Sequence, residues 1–309
     1  MHDVIIIGAG PAGLTAGLYT GRARLATLML EKMVTGGRIL MSETIENYPG
    51  FPAGVSTQEL MRRMEEQVKE LQVEIKSEEV LEIDCAQKSV KTEEGAYKAK
   101  AIIIAAGSRP RKLGVPGEEQ LTGRGLSYCA TCDGPLYKGK NVVVVGGGNA
   151  VAEEAIYLTR FAARVDIVHR RDELRASAIL QEQLKANKKI NFILSHVVTQ
   201  ISGSKKVESI KIKDLRSQEE RDLACDGVFI YIGYDPETDF LKNKLHLDDS
   251  GFIITGEDMA ASEEGIFACG DCRKKSLRQV ITACGDGAIA AESAYKYISK
   301  GTTYGAKRT

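Results

Sequence analysis

Continuous apolar runs that end in glycine recur along this chain, and they predict the strands of parallel sheets. The clearest are Val4–Ile7, Ala101–Ala106, Val142–Val145 and Val228–Ile232, each followed directly by glycine. Runs of β-branched residues without polar alternation are typical of strands covered on both faces. The pattern therefore predicts an α/β protein.

Helical spacing of apolar residues separates these strands. A capping box at Ser56–Glu59 begins a segment whose apolar side chains recur at Leu60, Met64, Val68 and Leu71. Further helices are predicted after the glycines at 10 and 148, at 177–188 and at about 278–299, with short strands near 73–75, 80–83 and 89–92.

One unit of this pattern occurs twice. Gly8–Gly13 has the spacing GxGxxG between a strand and a helix, and Glu31 lies 23 positions after Gly8. Gly146 begins a second glycine turn, and His169 again lies 23 positions later. A strand, a glycine turn and a helix N-terminus let the backbone approach a pyrophosphate, so both units predict dinucleotide sites.

The residue that closes each unit distinguishes the two sites. An acid at Glu31 suits free ribose hydroxyls and repels phosphate, which favours a dinucleotide such as FAD. His169–Arg171, with Arg175 one helical turn further, suits a 2′-phosphate and favours NADP over NAD. The alternative for this second group is a solvated basic patch.

Composition limits the other possibilities. The 309 residues suit two domains, and a formal net charge of zero provides no overall field for nucleic acid or an anionic membrane. Apolar runs stay shorter than about eighteen residues, and Met1–Asp3 leads straight into a strand, so neither a membrane span nor a signal peptide is expected. Seven cysteines, most without a close partner in sequence, suit a reducing compartment, and we expect a cytoplasmic protein.

Between the two glycine units lies Cys129–Asp133, the stretch CATCD. Two cysteines at this spacing can close a small disulfide, accept two electrons and pass them to another disulfide. Asp133 is a candidate for moving the proton in this exchange, or alternatively a turn former, because Gly134 and Pro135 follow it. A zinc knuckle is the other interpretation, but the histidines show no matching spacing and no metal site is expected.

A last short strand leads into Gly270 and Asp271. A carboxylate there, next to the N-terminus of the final helix, is placed to hold a ribityl hydroxyl or a phosphate-bound ion, or alternatively to cap the helix. Cys269 and Cys272 form a second CxxC at this point, for which packing is favoured over an auxiliary redox role.

Together these motifs resemble the low-molecular-weight bacterial thioredoxin reductases over about residues 3–298. Besides CATCD and the two glycine turns, the matching stretches are Thr35–Gly37, Glu46–Phe51, His169–Arg171 with Arg175, Gly270–Asp271 and Arg278–Gln279. Two positions depart from the family pattern. Arg38 stands where glutamine is common, either as a cation near the flavin or as a phosphate ligand, and Val151 replaces the small third residue of the second glycine turn.

The resemblance implies two Rossmann-like three-layer α/β domains, the second inserted in the first. Residues 1–113 and 243–309 would form a discontinuous FAD-binding domain, and 114–242 an NADPH-binding domain that carries the CxxC. Hinges between them are expected at Leu113–Gly117 and around Phe240–Lys244.

The resemblance also implies a homodimer in which electrons pass from NADPH through FAD to the Cys129–Cys132 disulfide and then to thioredoxin or a thioredoxin-like protein. Cys132 would face the flavin, with Asp133 as acid/base. The residues assigned to FAD are Gly8, Gly10, Pro11, Ala12, Gly13, Glu31, Lys32, Gly37, Arg38, Asn47, Val80, Gly107, Gly270, Asp271, Arg278, Gln279 and Val280. Those assigned to NADPH are Gly146, Gly148, Asn149, Ala150, His169, Arg170, Arg171, Arg175 and Gly233.

Three rival functions share part of this pattern: a flavoprotein fed by ferredoxin, a dithiol oxidase that passes electrons to oxygen, and a redox-sensing flavoprotein without turnover. The first two have no use for the 2′-phosphate signature at His169–Arg171. The third is disfavoured because both nucleotide signatures and the CxxC-Asp are intact. NADPH-dependent reduction of thioredoxin is therefore the function that the sequence predicts.

Overall fold

The three-dimensional structure is a computed structural model that describes residues 1–41, 44–45, 47–241 and 243–305. Glu46, in one of the motifs above, and Lys242, at an expected domain boundary, lie outside the described residues. The chain forms two compact units. Unit 1 consists of Met1–Arg109 and the chain from Asp235 onward, and unit 2 consists of Pro110–Tyr234.

Strands and helices follow one another in the alternating order that the apolar pattern predicts. The strands are β1 (His2–Ile7), β2 (Thr27–Glu31), β3 (Thr44–Ile45), β4 (Val55–Ser56), β5 (Glu74–Ser77), β6 (Glu82–Asp84), β7 (Ser89–Lys91), β8 (Ala96–Ile104), β9 (Ser108–Pro110), β10 (Leu126–Ser127), β11 (Asn141–Gly146), β12 (Arg164–His169), β13 (Ile190–Leu194), β14 (His196–Ser202), β15 (Ser209–Asp214), β16 (Glu220–Ala224), β17 (Gly227–Tyr231), β18 (Tyr234–Pro236) and β19 (Ile266–Ala268). The helices are α1 (Pro11–Arg22), α2 (Thr57–Glu70), α3 (Glu118–Leu121), α4 (Ala130–Asp133), α5 (Asn149–Leu158), α6 (Ala178–Ala186) and α7 (Val280–Gly305).

Unit 1 is built on a sheet of strand order β5-β2-β1-β8-β7-β6, with β19 also paired to β8. The strands β5, β2, β1, β8 and β19 are parallel, and β7 and β6 add an antiparallel edge. The side chains of β1 alternate between two cores. Val4 and Ile6 pack with helices α1, α2 and α7, whereas Ile5 and Ile7 pack with β6, β7 and Leu241.

Unit 2 has a parallel sheet of order β10-β17-β11-β12-β13 and an antiparallel sheet of order β14-β15-β16. Val142 and Val144 of β11 face helices α5 and α6, and Val143 and Val145 face the antiparallel sheet. The predicted fold class, a three-layer α/β unit inserted in another, is therefore confirmed. Among the residues that the structure describes, no helix has the length and apolar character needed to cross a bilayer.

The chain leaves unit 1 after residue 109 and returns to it at residue 235, within β9 and β18. These crossings come a few residues before the expected boundaries. On the unit 1 side, the Glu237 amide donates to Gly107 O at 3.1 Å, and on the unit 2 side the Arg111 amide donates to Gly233 O at 2.9 Å. Both crossings are thus flanked by backbone hydrogen bonds.

The two stretches expected as hinges are held inside their units. Glu118 is buried, and its carboxylate accepts hydrogen bonds from the Leu113 and Gly114 amides at 2.8 and 2.7 Å. Leu241 is fully buried in unit 1. Side-chain contacts, which the Gly and Pro content does not reveal, hold both stretches within their units, and the hinge positions stay a prediction.

Helix α2 begins where the sequence predicts, but the capping box does not form. Ser56 is the N-cap residue and makes no side-chain capping hydrogen bond. The Glu59 carboxylate instead accepts hydrogen bonds from Arg62 and Arg63, at 2.9 and 2.6 Å. Two guanidinium groups one turn away take the carboxylate that a capping box needs, so this part of the prediction is wrong.

Phe229 is fully buried in the core of unit 2, with its ring centroid 5.2 Å from that of Tyr137. Phe229→Ala is expected to lower the free energy of unfolding by about 3–5 kcal/mol, because it removes buried apolar surface and leaves a cavity. Urea denaturation followed by circular dichroism measures this loss. Phe192→Ala, at a ring that is 36% exposed, is the matched control and should lose far less. Equal losses in both variants would contradict the expectation.

Candidate functional site

The first glycine turn joins β1 to α1, and its glycines pack directly against other backbone atoms. Gly8 has a φ of +101°, and a Cβ on Gly13 would overlap the Gly8 carbonyl oxygen. The Cβ position of Gly10, the N-cap of α1, lies 3.9 Å from its nearest heavy atom, Gly36 O, which is an ordinary contact distance. The amides at the start of this 12-residue helix therefore border a cradle lined by backbone, which fits an anionic phosphate.

Two loops from elsewhere in unit 1 close on this turn. The Cβ position of Gly37 lies 3.2 Å from the Gly10 Cα, and that of Gly270 lies 2.8 Å from the Ala12 Cβ. Gly37 and Gly270 have φ values of +67° and +75°, which side chains rarely adopt. The structure thus brings together three glycine stretches that the sequence analysis assigned to one cofactor.

Arg38 and Asp271 form an ion pair beside this cradle, with 3.0 Å between Nη2 and Oδ2. The Arg38 guanidinium also donates to Ser108 O at 2.9 Å. Burial raises the pKa of the Asp271 carboxyl, against the opposing effect of Arg38. The second carboxylate oxygen, Oδ1, is buried without a protein partner. A ligand hydroxyl at this point fits the unsatisfied oxygen.

Three further candidates make polar contacts in unit 1. The Ala9 amide donates to Glu31 Oε2 at 2.7 Å, which holds the acid at the end of β2 against the first turn. Asn47 Nδ2 donates to Gln279 Oε1 at 3.0 Å, so these two candidates lie together although they are far apart in sequence.

Other candidates in unit 1 contact protein groups outside the cradle. Lys32 pairs with Glu237 at 3.2 Å, Val80 is buried in the core beside β1 and β2, and the Arg278 guanidinium lies 4.2 Å from the ring centroid of Phe252. Three candidates lie at the ends of elements: Pro11 at the start of α1, Gly107 after β8, and Val280 at the start of α7.

The second glycine turn, in unit 2, has the same local design as the first. Gly146 has a φ of +139°, and a Cβ on it would come 2.7 Å from Cγ2 of Val151, which is fully buried. A Cβ on Gly147 would overlap the His169 ring, whereas Gly148, the N-cap of α5, faces open space. The β-branched Val151 is therefore accommodated, because Gly146 has no side chain.

The segment after β12 folds back against this turn. The Arg175 amide donates to Gly147 O at 2.7 Å, and the Ser177 amide donates to Asn149 Oδ1 at 2.9 Å. These bonds hold the arginine-bearing segment next to the start of α5. The two remaining candidates in this unit are Ala150, exposed in the first turn of α5, and Gly233, which follows β17 with a φ of +117°.

The arginines give this turn a positive potential. Arg170, Arg171 and Arg175 are exposed, whereas His169 is buried. Burial lowers the pKa of His169, and the charges of the three arginines lower it further. Its Nε2 atom is buried without a protein partner. Exposed cations and an unsatisfied ring nitrogen beside an open glycine turn fit a phosphate ester.

Cys129 and Cys132 are joined by a disulfide, with a Cα–Cα distance of 5.3 Å. Cys129 is the N-cap of α4, and its Sγ accepts a hydrogen bond from the Cys132 amide at 3.2 Å. Asp133 ends the same short helix. Burial raises the pKa of its carboxyl, against a hydrogen bond with Ser127. A carboxyl with a raised pKa holds its proton closer to neutral pH, as an acid/base for thiol chemistry requires.

Sequence analysis missed two hydroxyl groups that bind the redox turn. Ser127 Oγ accepts a hydrogen bond from the Cys129 amide at 3.0 Å, and the Tyr231 hydroxyl accepts one from the Ala130 amide. Ser127 lies two residues before the CxxC, so a polar residue at that place was an available signal. Tyr231 belongs to an apolar strand remote in sequence, and no local pattern indicates its contact.

Asp286 on α7 is a further residue that the sequence analysis missed. Its carboxylate accepts a hydrogen bond from the Gly270 amide at 3.1 Å and pairs with Arg273 at 3.4 Å and Lys275 at 2.7 Å. The side chains of all three charged residues are largely buried. This network fixes the turn that presents Asp271.

The second CxxC belongs to the core. Cys269 and Cys272 are free thiols, fully buried, and burial raises the pKa of both. Cys269 packs in the core on the helix side of the sheet and Cys272 in the core on the other side. Within the described part of the chain, no group of three or more His, Cys, Asp or Glu side chains is arranged to hold a metal ion.

Comparison with known proteins gives consistent matches across both units. The family model described as pyridine nucleotide-disulphide oxidoreductase matches residues 2–287. The thioredoxin reductase of Bacillus subtilis (strain 168) is 48% identical over 303 residues, which cover 97% of this chain and 96% of the relative. That of Peptoclostridium acidaminophilum is 45% identical and covers 96% and 97%, respectively.

A solved structure agrees with these relatives. The crystal structure of thioredoxin reductase from Streptococcus pyogenes MGAS5005 is 46% identical to this chain, with a TM-score of 0.92 over 97% of this chain and 99% of the other. The chain therefore belongs to the pyridine nucleotide-disulphide oxidoreductases and, within them, to the low-molecular-weight bacterial thioredoxin reductases.

Proposed function

We propose that this thioredoxin reductase moves electrons from NADPH, through bound FAD, to the Cys129–Cys132 disulfide and from there to the disulfide of thioredoxin or a thioredoxin-like protein. The observation that carries the proposal is the closed Cys129–Cys132 disulfide, next to Asp133, in the same unit as a glycine turn flanked by arginines. The reaction needs two parts from this unit, a redox disulfide and a binding site for a phosphorylated nucleotide.

FAD is the cofactor that we propose for unit 1. The glycine cradle at Gly10 suits its pyrophosphate, Glu31 suits a ribose, and the unsatisfied Oδ1 of Asp271 suits a ribityl hydroxyl. When bound, FAD supplies the two-electron chemistry that connects a nicotinamide to a disulfide. The protein's part is to bind and orient it, and Arg38 balances the charge of Asp271 at this place.

NADPH is the electron source that we propose, with its pyrophosphate at Gly146–Asn149. Arg170, Arg171 and Arg175 are proposed to bind the 2′-phosphate, because guanidinium groups bind phosphate bidentately and stay charged. A neutral His169 beside them offers a ring nitrogen as a hydrogen-bond partner. This proposed 2′-phosphate site disfavours a ferredoxin-fed reductase or a dithiol oxidase, since neither uses a 2′-phosphate.

The thiol chemistry balances within the CxxC. Two electrons and two protons convert the disulfide to two thiols, with Cys132 as the sulfur proposed to face the flavin and Asp133 as the group that moves a proton. The Cys129 thiolate then attacks the disulfide of thioredoxin and forms a mixed disulfide. Cys132 attacks Cys129 Sγ, which restores the Cys129–Cys132 disulfide and releases thioredoxin as a dithiol.

A homodimer in the cytoplasm is the setting that we propose. The side chains of Ile281 and Ile289, on one face of α7, are each 43% exposed, which suits an interface with a second copy. The cysteines outside the CxxC are free thiols, which suits a reducing compartment.

The direct test is an anaerobic titration of the yellow protein with NADPH and, separately, with NADH, followed by addition of thioredoxin. Rapid bleaching of the flavin by NADPH, and continued NADPH oxidation only with thioredoxin present, are expected. A flavin that neither nucleotide bleaches, or NADPH oxidation that is independent of thioredoxin, contradicts the proposal.

Cys132→Ser is expected to abolish thioredoxin reduction, because the variant cannot close the disulfide that relays the electrons. FAD binding and bleaching of the flavin by NADPH should remain, since neither uses Cys132. Steady-state assays with thioredoxin, beside anaerobic bleaching, measure the two properties. Cys85→Ser, at a half-buried free thiol of unit 1, is the matched control and should keep full activity. Turnover by Cys132→Ser would rule out the mechanism.

Arg170→Ala combined with Arg171→Ala is expected to raise the KM for NADPH by about tenfold or more, because charge-assisted contacts to the 2′-phosphate are lost. The KM for NADH should change little. Lys205→Ala combined with Lys206→Ala removes the same charge from exposed positions of unit 2 and should affect neither nucleotide. An equal rise in the KM values for NADPH and NADH would show that the arginines do not bind the 2′-phosphate.

Asp133→Asn is expected to slow reduction of thioredoxin by about 100-fold or more, because a positioned acid/base contributes that much to proton transfer. In the wild type, the protonated acid is lost as pH rises through the raised pKa of Asp133, so rates that need the acid fall with pH. In the Asp133→Asn variant, this fall of the rate with pH should be absent. Stopped-flow rates against pH test it, with Asp172→Asn, at an exposed acid, as control. An unchanged profile contradicts the role.

A further inference from the structure

The hydroxyl of Tyr231 contacts the redox turn from a distant strand and takes no part in the mechanism above. The Ala130 amide, inside the CxxC turn, donates a hydrogen bond to the Tyr231 hydroxyl. Ala130 is the first residue of α4, so its amide has no acceptor within the helix. The Tyr231 oxygen takes that place, and burial raises the pKa of its hydroxyl, which keeps the tyrosine neutral.

A tyrosine hydroxyl has one proton to donate and accepts with its lone pairs, so the neutral Tyr231 oxygen can accept the Ala130 hydrogen. The Glu154 carboxyl of α5 lies near this hydroxyl. Burial, with a smaller contribution from Glu153, raises the pKa of Glu154 to about 7, and the charge of Glu154 in turn raises the pKa of Tyr231. Both effects favour the neutral forms of the two side chains.

The backbone of Tyr231 is also held in place, by the sheet of unit 2. Tyr231 pairs with Gly146 across β17 and β11, and a Cβ on Gly146 would overlap the Tyr231 carbonyl oxygen. The ring therefore extends from the second glycine turn to the CxxC. Its position depends on the sheet rather than on a mobile loop.

We propose that Tyr231 is a positioning residue for the Cys129–Cys132 pair. The inference rests on the proposed function in one respect, that this pair is the working redox couple. The Tyr231 hydroxyl contacts the backbone of the turn, and it acts on the sulfurs through the geometry of α4.

The effect of this contact differs between the two redox states. In the disulfide state the S–S bond itself holds the turn closed. In the dithiol state only hydrogen bonds hold it, and among these is the bond from Ala130 to Tyr231. Without the hydroxyl, the dithiol turn gains conformational freedom, and closing the disulfide costs more entropy. Tyr231 therefore stabilises the disulfide relative to the dithiol and lowers the reduction potential of the pair.

The experiment is a redox titration of the FAD-loaded protein in dithiothreitol buffers of graded oxidation. Alkylation and peptide mapping measure the fraction of Cys129 and Cys132 present as thiols. Tyr231→Phe is expected to shift the equilibrium toward the dithiol by about three- to tenfold, the range for one hydrogen bond, and tenfold is about 30 mV. A wild-type midpoint in Tyr231→Phe overturns the proposal.

Tyr157→Phe is the control for loss of a hydroxyl from the same unit. The Tyr157 ring packs against that of Phe161, with 5.4 Å between the ring centroids. Loss of the Tyr157 hydroxyl should leave the midpoint unchanged. An equal shift in this control would mean that Tyr231 has no particular role. Failure of the wild type to reduce thioredoxin contradicts the proposed function instead, and the titration of the cysteine pair distinguishes the two results.

Discussion

The close approach of backbone to backbone at the two glycine turns is the constraint on which both units depend. At Gly13 a side chain would collide with the Gly8 carbonyl, and at Gly146 with the Tyr231 carbonyl. Only glycine lets helices α1 and α5 begin so close to the strand ends that precede them. Glycine is also the N-cap residue of both helices, at 10 and 148, so no side chain covers the amides that begin them. One local geometry therefore provides both the packing of each unit and its nucleotide cradle.

Charge is arranged differently at the two cradles. In unit 1 the cations beside the cradle are paired inside the protein: Arg38 with Asp271, and Lys275 with the buried Asp286. Buried charges are tolerated when they are paired and hydrogen-bonded, and the pairing leaves one oxygen of Asp271 for a neutral hydroxyl. In unit 2 the arginines after His169 are exposed, where they can meet a phosphate. The contrast supports the proposed assignment of FAD to unit 1 and of a 2′-phosphate to unit 2.

The redox turn is a four-residue helix whose shape depends on groups outside it. Ser127 holds the Cys129 amide from the strand before the turn, and Tyr231 holds the Ala130 amide from a strand far along the chain. Within the turn, the Cys132 amide also donates a hydrogen bond to Cys129 Sγ at 3.2 Å. Hydrogen bonds to backbone amides therefore position the turn from two separate strands.

The sequence by itself determined the parallel strands, the repeated glycine turns and the cysteine pair. These features are local: a strand covered on both faces must be apolar throughout, and a disulfide between neighbours such as Cys129 and Cys132 needs only a turn. Tertiary structure alone decided which loops close on the first cradle, that Arg38 pairs with Asp271, and that Tyr231 supports the redox turn. It also decided that the boundary stretches are held inside their units. Such contacts join residues distant in sequence, and packing in three dimensions selects them, so no local pattern records them.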